Sequence, residues 1–260
     1  MSKLLNFAKR NVKEILRDPI IYIFCLGFPL VMLILFTVIG KYSGGNTPMF
    51  DLKSLLPGII MFSYTFVMIV MALLVSKDRQ TSFLKRLYSS PMKAYHFILG
   101  YAIVGFVIGV FQTIICIVSA FIMSLCVSVE FVSFLNLLLL IVSQLPILIT
   151  FVFLGILFGT IFNDKTAPGI CSILISLAGI LGGCWMPLDA MGDFEVFCRC
   201  LPFYPSVYLG RIVCGAITTF GKVYTFNSVA ALGFIPLFGC MVASVVLSCV
   251  VFKNKMVGDK

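Results

Sequence analysis

Residues 76–96 read SKDRQTSFLKRLYSSPMKAYH, a basic interruption between the apolar runs at 55–75 and 97–127. Lys77, Arg79, Lys85, Arg86 and Lys93 stand there against one acid, Asp78. Phe83, Leu84 and Leu87 recur at i, i+1, i+4, which predicts a short helix with an apolar stripe. Ser90-Pro91 has the form of an N-cap followed by a first helical position. A charged loop carrying an apolar stripe, hung between two apolar spans, is a handle for a soluble partner. Positive charge by itself does not require one, because it also keeps a loop from being translocated. The apolar stripe favours the handle.

Working outward, the whole chain shares the character of the flanking runs. Of its 260 residues 61% are hydrophobic and 11% charged, where a soluble globule carries about 25% charged residues. The chain therefore reads as an all-α polytopic membrane protein. Its net charge of +9 points to lipid headgroups and orientation rather than to nucleic acid, because the basic residues cluster beside apolar spans. No cleavable signal peptide is expected: the first apolar run starts near Ile20, is long enough to span, and lacks a small-residue cleavage site. Most of the ten cysteines count as small apolar residues within spans.

Residues 3–18 predict an amphipathic helix lying at the inner membrane interface. Leu4, Leu5, Ala8, Val12, Ile15 and Leu16 share one arc, and Lys3, Lys9, Arg10, Lys13 and Arg17 occupy the other. Asp18-Pro19 ends it. Six spans follow, at about 20–40, 55–75, 97–127, 132–162, 168–186 and 229–252. A hairpin at Val129-Glu130 joins the third and fourth, and Pro146 is expected to kink the fourth. Five Lys/Arg precede Ile20, five lie in 76–96, and Lys165, Lys253, Lys255 and Lys260 fall on the same side. Lys41, Lys53, Arg199, Arg211 and Lys222 fall on the other, so both termini are expected to be cytoplasmic in a cell (plasma or inner) membrane. The domain layout is thus a 1–19 helix, a 20–252 membrane domain and a 253–260 tail, with a 187–228 outer loop. That loop is rich in aromatics and prolines, which suits short re-entrant or interfacial helices. Cys184, Cys198, Cys200 and Cys214 lie near it; an oxidising exterior would permit a disulfide among them, and their spacing matches no metal-binding pair.

The six spans hold no Asp, Glu, Lys or Arg, which argues against ion-coupled transport. They do hold Ser63, Tyr64, Thr65, Gln112, Thr113, Ser143, Gln144, Thr150, Ser172 and Ser176, groups that ordinarily bond between or within helices. Gly105/Gly109, Gly155/Gly159 and Gly179/Gly183 are four-residue pairs that allow close helix approach, within one subunit or between two. Enzymatic chemistry finds no foothold: there is one His, His96, and no catalytic residue or metal site is assigned. Gly40-Lys41 and Gly221-Lys222 lack the rest of a phosphate-binding loop. A nucleotide-binding domain needs about 100–200 residues of its own, so any ATP would be hydrolysed on another chain.

Three stretches stand out together: Lys13-Glu14-Ile15-Leu16-Arg17-Asp18-Pro19 leading into Gly27-Phe28-Pro29; Thr81 to Leu87 with Pro91 and Gly100; and Met186-Pro187, Leu201-Pro202, Pro205 and Arg211. In these the chain resembles the type-2 membrane permeases of ATP-binding-cassette (ABC) exporters, particularly the bacterial drug-exporter branch. The loop departs from the family pattern, with Ser82 where glycine is common and Lys85 where an acid is common. The resemblance implies an ABC ATPase partner carrying ATP and Mg, and a second permease subunit, identical or different. It also implies docking through the N-terminal helix and through Arg79, Phe83, Leu84, Lys85, Arg86, Leu87 and Pro91. A path between the second and fifth spans would then be lined by Phe62, Ser63, Phe66, Met68, Ser172 and Ser176. Uncharged walls of this kind suit an amphipathic or apolar substrate: a drug, peptide or lipid-like molecule. The alternative function is a membrane assembly or sensor subunit that binds a cytoplasmic partner without transport.

Overall fold

The computed structural model describes residues 2–17, 23–42, 48–81, 94–129, 131–226 and 228–258. Nine α-helices occur among them: α1 Ser2–Ile15, α2 Phe28–Tyr42, α3 Leu52–Gln80, α4 Ala94–Val127, α5 Phe134–Ile161, α6 Ala167–Leu181, α7 Asp193–Arg199, α8 Phe203–Cys214 and α9 Ser228–Gly258. A π-helical turn, Ile23–Gly27, leads into α2, and 3₁₀ turns occupy Pro48–Phe50 and Leu188–Ala190. Extended structure among the described residues is limited to one bridge between Ile217 and Val223.

Among the described residues, four helices are long and apolar enough to cross a membrane: α3, α4, α5 and α9. The first and fifth expected spans are shorter apolar helices of 15 residues each, α2 and α6. At 1.5 Å per residue such a helix covers about 22 Å, less than a hydrocarbon core of about 30 Å. The expected fifth span was drawn to residue 186, but α6 stops at Leu181. Gly183 adopts φ +67°, which reverses the chain and sends Trp185 back toward the helices. The expected hairpin at Val129-Glu130 falls partly outside the described residues, which exclude Glu130; a turn lies at Ser128, and α5 is one continuous helix with Pro146 inside it.

The helix α3 is the hub. Apolar all round, it is buried over nearly its whole length, as expected for a helix surrounded by others rather than by solvent or lipid. It meets α5 through the glycine pair: a Cβ on Gly155 would stand 2.5 Å from the Met68 carbonyl, and one on Gly159 2.5 Å from that of Ala72. Gly105 and Gly109 of α4 accept Val152 and Leu148 of α5 in the same way, and Gly179 of α6 accepts Trp185 and Phe62. The first two pairs are therefore used for helix packing inside the subunit, whereas of the third only Gly179 lies in a helix, Gly183 falling in the turn after α6.

Polar groups lock these contacts. Tyr64 and Thr113 share a 2.6 Å hydrogen bond between α3 and α4. Gln144 of α5 donates to the Ser206 carbonyl at 2.9 Å and accepts from the Ser206 hydroxyl at 2.9 Å. Arg211 of α8, 1% exposed, donates to the carbonyls of Ser54 at 3.2 Å and Gly183 at 2.8 Å. It thereby ties α8 to the start of α3 and to the turn after α6. All ten cysteines are free thiols, including Cys184, Cys198, Cys200 and Cys214.

Candidate functional site: a cleft between α3 and α6

One face of α3 borders a cleft. Phe62, Phe66, Ile69, Leu73 and Lys77 recur at three- and four-residue steps and, with Val70 and Leu74, line it; its volume is about 1500 Å³. Opposite them, Pro168, Ser172, Ile175, Ser176 and Ile180 form the facing stripe of α6. Phe28 and Met32 of α2 form a third wall. From Phe62 to Lys77 the stripe spans about 22 Å by helical rise.

The two ends of the cleft differ in chemistry. Trp185 closes one, its ring 4.8 Å from that of Phe62 and 4.9 Å from that of Phe36. Phe28 and Phe66 continue the aromatic cluster at 5.2 Å. The other end belongs to α1 and the turn after it: Asn6, Lys9, Arg10, Lys13, Glu14, Ile15 and Arg17 line it together with Lys77. Five cations thus meet one carboxylate at this end.

A buried carboxylate fixes α1 there. Asp78, 1% exposed near the end of α3, accepts two hydrogen bonds of 2.9 Å from Arg10 and one of 2.8 Å from the Tyr101 hydroxyl of α4. Arg10 also pairs with Glu14 at 2.7 Å, and Lys77 reaches Glu14 at 3.6 Å. Burial disfavours the Arg10 charge, but the hydrogen bonds and charge of Asp78, with Glu14, outweigh it and raise its pKa above the ordinary value. Phe7 adds shape: it sits edge-on to Phe97 and Tyr101 at 5.6 and 5.0 Å, filling the notch that Gly100 leaves open. The apolar arc of α1 is therefore spent partly on protein, with Phe7, Ala8 and Ile15 buried and Leu5 and Leu16 exposed.

The C-terminal end of α3 is held on its other side too. Arg79 donates to the carbonyls of Gly159 and Thr160 in the last turn of α5, where the helix dipole favours a cation. Gln80 donates to Asp164 at 2.7 Å. Three elements besides α3 thus converge where the chain leaves for residues 82–93.

Among the described residues, no group of three or more His, Cys, Asp or Glu is placed to hold a metal ion. The family model described as ABC-2 type transporter matches residues 3–214, which takes in every helix lining the cleft. The chain belongs to the ABC-2 type transporter family. It is a multi-pass membrane permease subunit of an ABC transporter, and the family implies an ABC ATPase partner. No curated protein matches the sequence.

Within this permease, the residues expected on the path divide. Phe62, Phe66, Ser172 and Ser176 line the cleft. Ser63 and Met68 do not: both are fully buried, Ser63 bonding back to the Ile60 carbonyl at 2.7 Å and Met68 lying against Gly155. Ser172 and Ser176 bond to carbonyls of their own helix, those of Gly169 and Ser172, and remain exposed in the cleft. Of the residues expected to engage the ATPase, Arg79 caps α5 as described. Phe83, Leu84, Lys85, Arg86, Leu87 and Pro91 lie outside the described residues. Sequence reading passed over the Arg10–Asp78–Tyr101 cluster. Its one signal was that Asp78 is the sole acid in a run of five cations.

Proposed function

We propose that this permease forms the membrane path of an ATP-driven exporter and moves an amphipathic or apolar substrate outward. A separate ATPase docks on the loop at 76–96 and on α1, and a second permease subunit completes the path. In this reading six segments span the cell membrane, α2 and α6 being the short ones, and both termini are cytoplasmic. The observation that carries it is the cleft itself: an aromatic stripe on α3 facing Ser172 and Ser176 of α6, with the cations of α1 and Lys77 gathered at one end. Its mechanical counterpart is the clustering of Arg10, Asp78, Tyr101, Arg79 and Thr160 around the inner end of α3. A push on the loop would be transmitted to α1, α4 and α5 together, and the cleft wall would move as a unit.

Co-purification of the permease with its ATPase tests the docking. Leu84→Asp with Leu87→Asp removes apolar anchors worth roughly 1.5–3 kcal/mol each when buried; membrane insertion should persist while the ATPase is lost. Transport tests the path. Ser176→Phe and Phe66→Ala should change which substrates stimulate ATP hydrolysis while the ATPase remains bound. Equal loss for every substrate with poor expression would make them packing residues and end the path assignment.

A further inference from the structure

The α1 end of the cleft carries more positive charge than its carboxylates can offset. Arg10 is satisfied by Asp78 and Glu14, and Lys77 approaches the same Glu14. Lys9, Lys13 and Arg17 line the same wall, and none has a carboxylate at salt-bridge distance among the described residues. They follow one another at four-residue steps, so they stack along one face of α1 and the turn after it, over about 12 Å. Like charges at this spacing destabilise a helix by a few tenths of a kcal/mol per pair, a cost that an anion lying along the row would remove. Basic residues are ordinary on a cytoplasmic face, but these three line a cleft whose α2, α3 and α6 walls are mainly aliphatic and aromatic, with Lys77 at the same end and the hydroxyls of Ser172 and Ser176 between. The cation row and the Trp185 roof stand at opposite ends of one continuous apolar wall.

We infer that the cleft binds an anionic amphiphile, its phosphate, sulfate or carboxylate head against Lys9, Lys13 and Arg17 and its apolar chain along Phe62, Phe66 and Ile175 toward Trp185. This rests on the cleft being the substrate path and narrows the substrate class to negatively charged amphiphiles. The head can belong to a transported molecule or to a resident bilayer lipid; the chemistry recognised is the same. A cationic or uncharged amphiphile of equal chain length has the same walls available but no counterpart for the row.

Trp185 is the single tryptophan of the chain, and it sits at the tail end of the site, so its fluorescence reads occupancy directly. The probes are a long-chain alkyl phosphate brominated near its tail and the same brominated chain ending in a neutral hydroxyl. The protein is the full-length permease in nanodiscs of phosphatidylcholine. Saturable quenching by the phosphate at a concentration at least about tenfold below that needed for the alcohol is expected, since each basic residue near a membrane surface contributes about a fivefold preference for an anion and three are present. Lys9→Gln, Lys13→Gln and Arg17→Gln together should abolish that preference and leave quenching by the alcohol unchanged. Lys9→Arg with Lys13→Arg should restore it, which separates charge from any loss of folding. Equal quenching by both probes, or a preference that survives the triple substitution, overturns the anionic site while leaving the path intact. Absence of saturable quenching by either probe overturns the path as well. Adding phosphatidylglycerol to the nanodiscs distinguishes the sources: displacement of the phosphate probe supports the site and identifies bilayer lipid as a competitor, and undiminished probe binding supports the site with selectivity for the transported molecule.

Discussion

Removing the carboxylate at the end of α3 should release α1 from the bundle. Asp78 is 1% exposed and accepts three hydrogen bonds, two from Arg10 and one from Tyr101. Hydrogen bonds to a charged group are worth about 1.5–3 kcal/mol each, and breaking a fully buried ion pair costs about 3–5 kcal/mol. The Arg10 side chain is 37% exposed, so water and Glu14 recover part of its loss when its partner goes. That brings the expected cost of Asp78→Ala to about 2–3 kcal/mol, and of Asp78→Asn, which keeps acceptor capacity for Tyr101, to about 1–2 kcal/mol. These losses fall on α1 docking rather than on global folding, because the glycine-mediated packing of α3 on α5 lies elsewhere on the hub. Hydrogen–deuterium exchange of the α1 amides measures docking locally. A cost of 1.4 kcal/mol is a tenfold change, so α1 should exchange about 5–30 times faster in Asp78→Asn, with α5 unchanged. In a double-mutant cycle with Arg10→Gln, a coupling of about 1 kcal/mol or more is expected. Strict additivity, or α1 exchange identical to wild type in a folded Asp78→Ala protein, would refute the clasp.

Other expectations follow from the same packing. Gly155→Ala and Gly159→Ala press a methyl against backbone carbonyls that cannot yield, so each should cost about 1–3 kcal/mol and lower the detergent-extract melting temperature. Gly239→Ala, with open space around it, should be neutral. Arg211→Ala removes its hydrogen bonds to the Ser54 and Gly183 carbonyls, and losing the buried Gly183 partner alone should cost about 1–3 kcal/mol; Arg211→Lys, able to reach one of them, should fall between, as read by thermal stability. In a background without reactive native thiols, Thr219→Cys should react with an impermeant reagent in intact cells and Ser89→Cys should not; the reverse pattern would invert the proposed orientation.

What the sequence determined by itself was the membrane class, the helical character of each apolar run and the amphipathic first helix. Hydrocarbon offers backbone groups no partner, so an apolar run of that length has to be helical. It also placed Phe62 with Phe66 and Ser172 with Ser176 on shared faces, because helical spacing alone decides that. It could not say which face of α3 was which. A membrane helix apolar all round gives no contrast between lining and packing positions, so Ser63 and Met68 are indistinguishable by spacing from Phe62 and Phe66; in the fold both are fully buried, Met68 against Gly155 of α5. Nor could spacing reveal that Arg10 and Asp78, 68 residues apart, share one bidentate pair, or that the glycine pairs serve the subunit's own α3–α5 and α4–α5 contacts. Only the tertiary structure puts the cations of α1 on the same cleft as the aromatic stripe of α3. That juxtaposition depends on Phe7 entering the Gly100 notch and on Asp78 being sealed from water, where an unpaired charge could not remain.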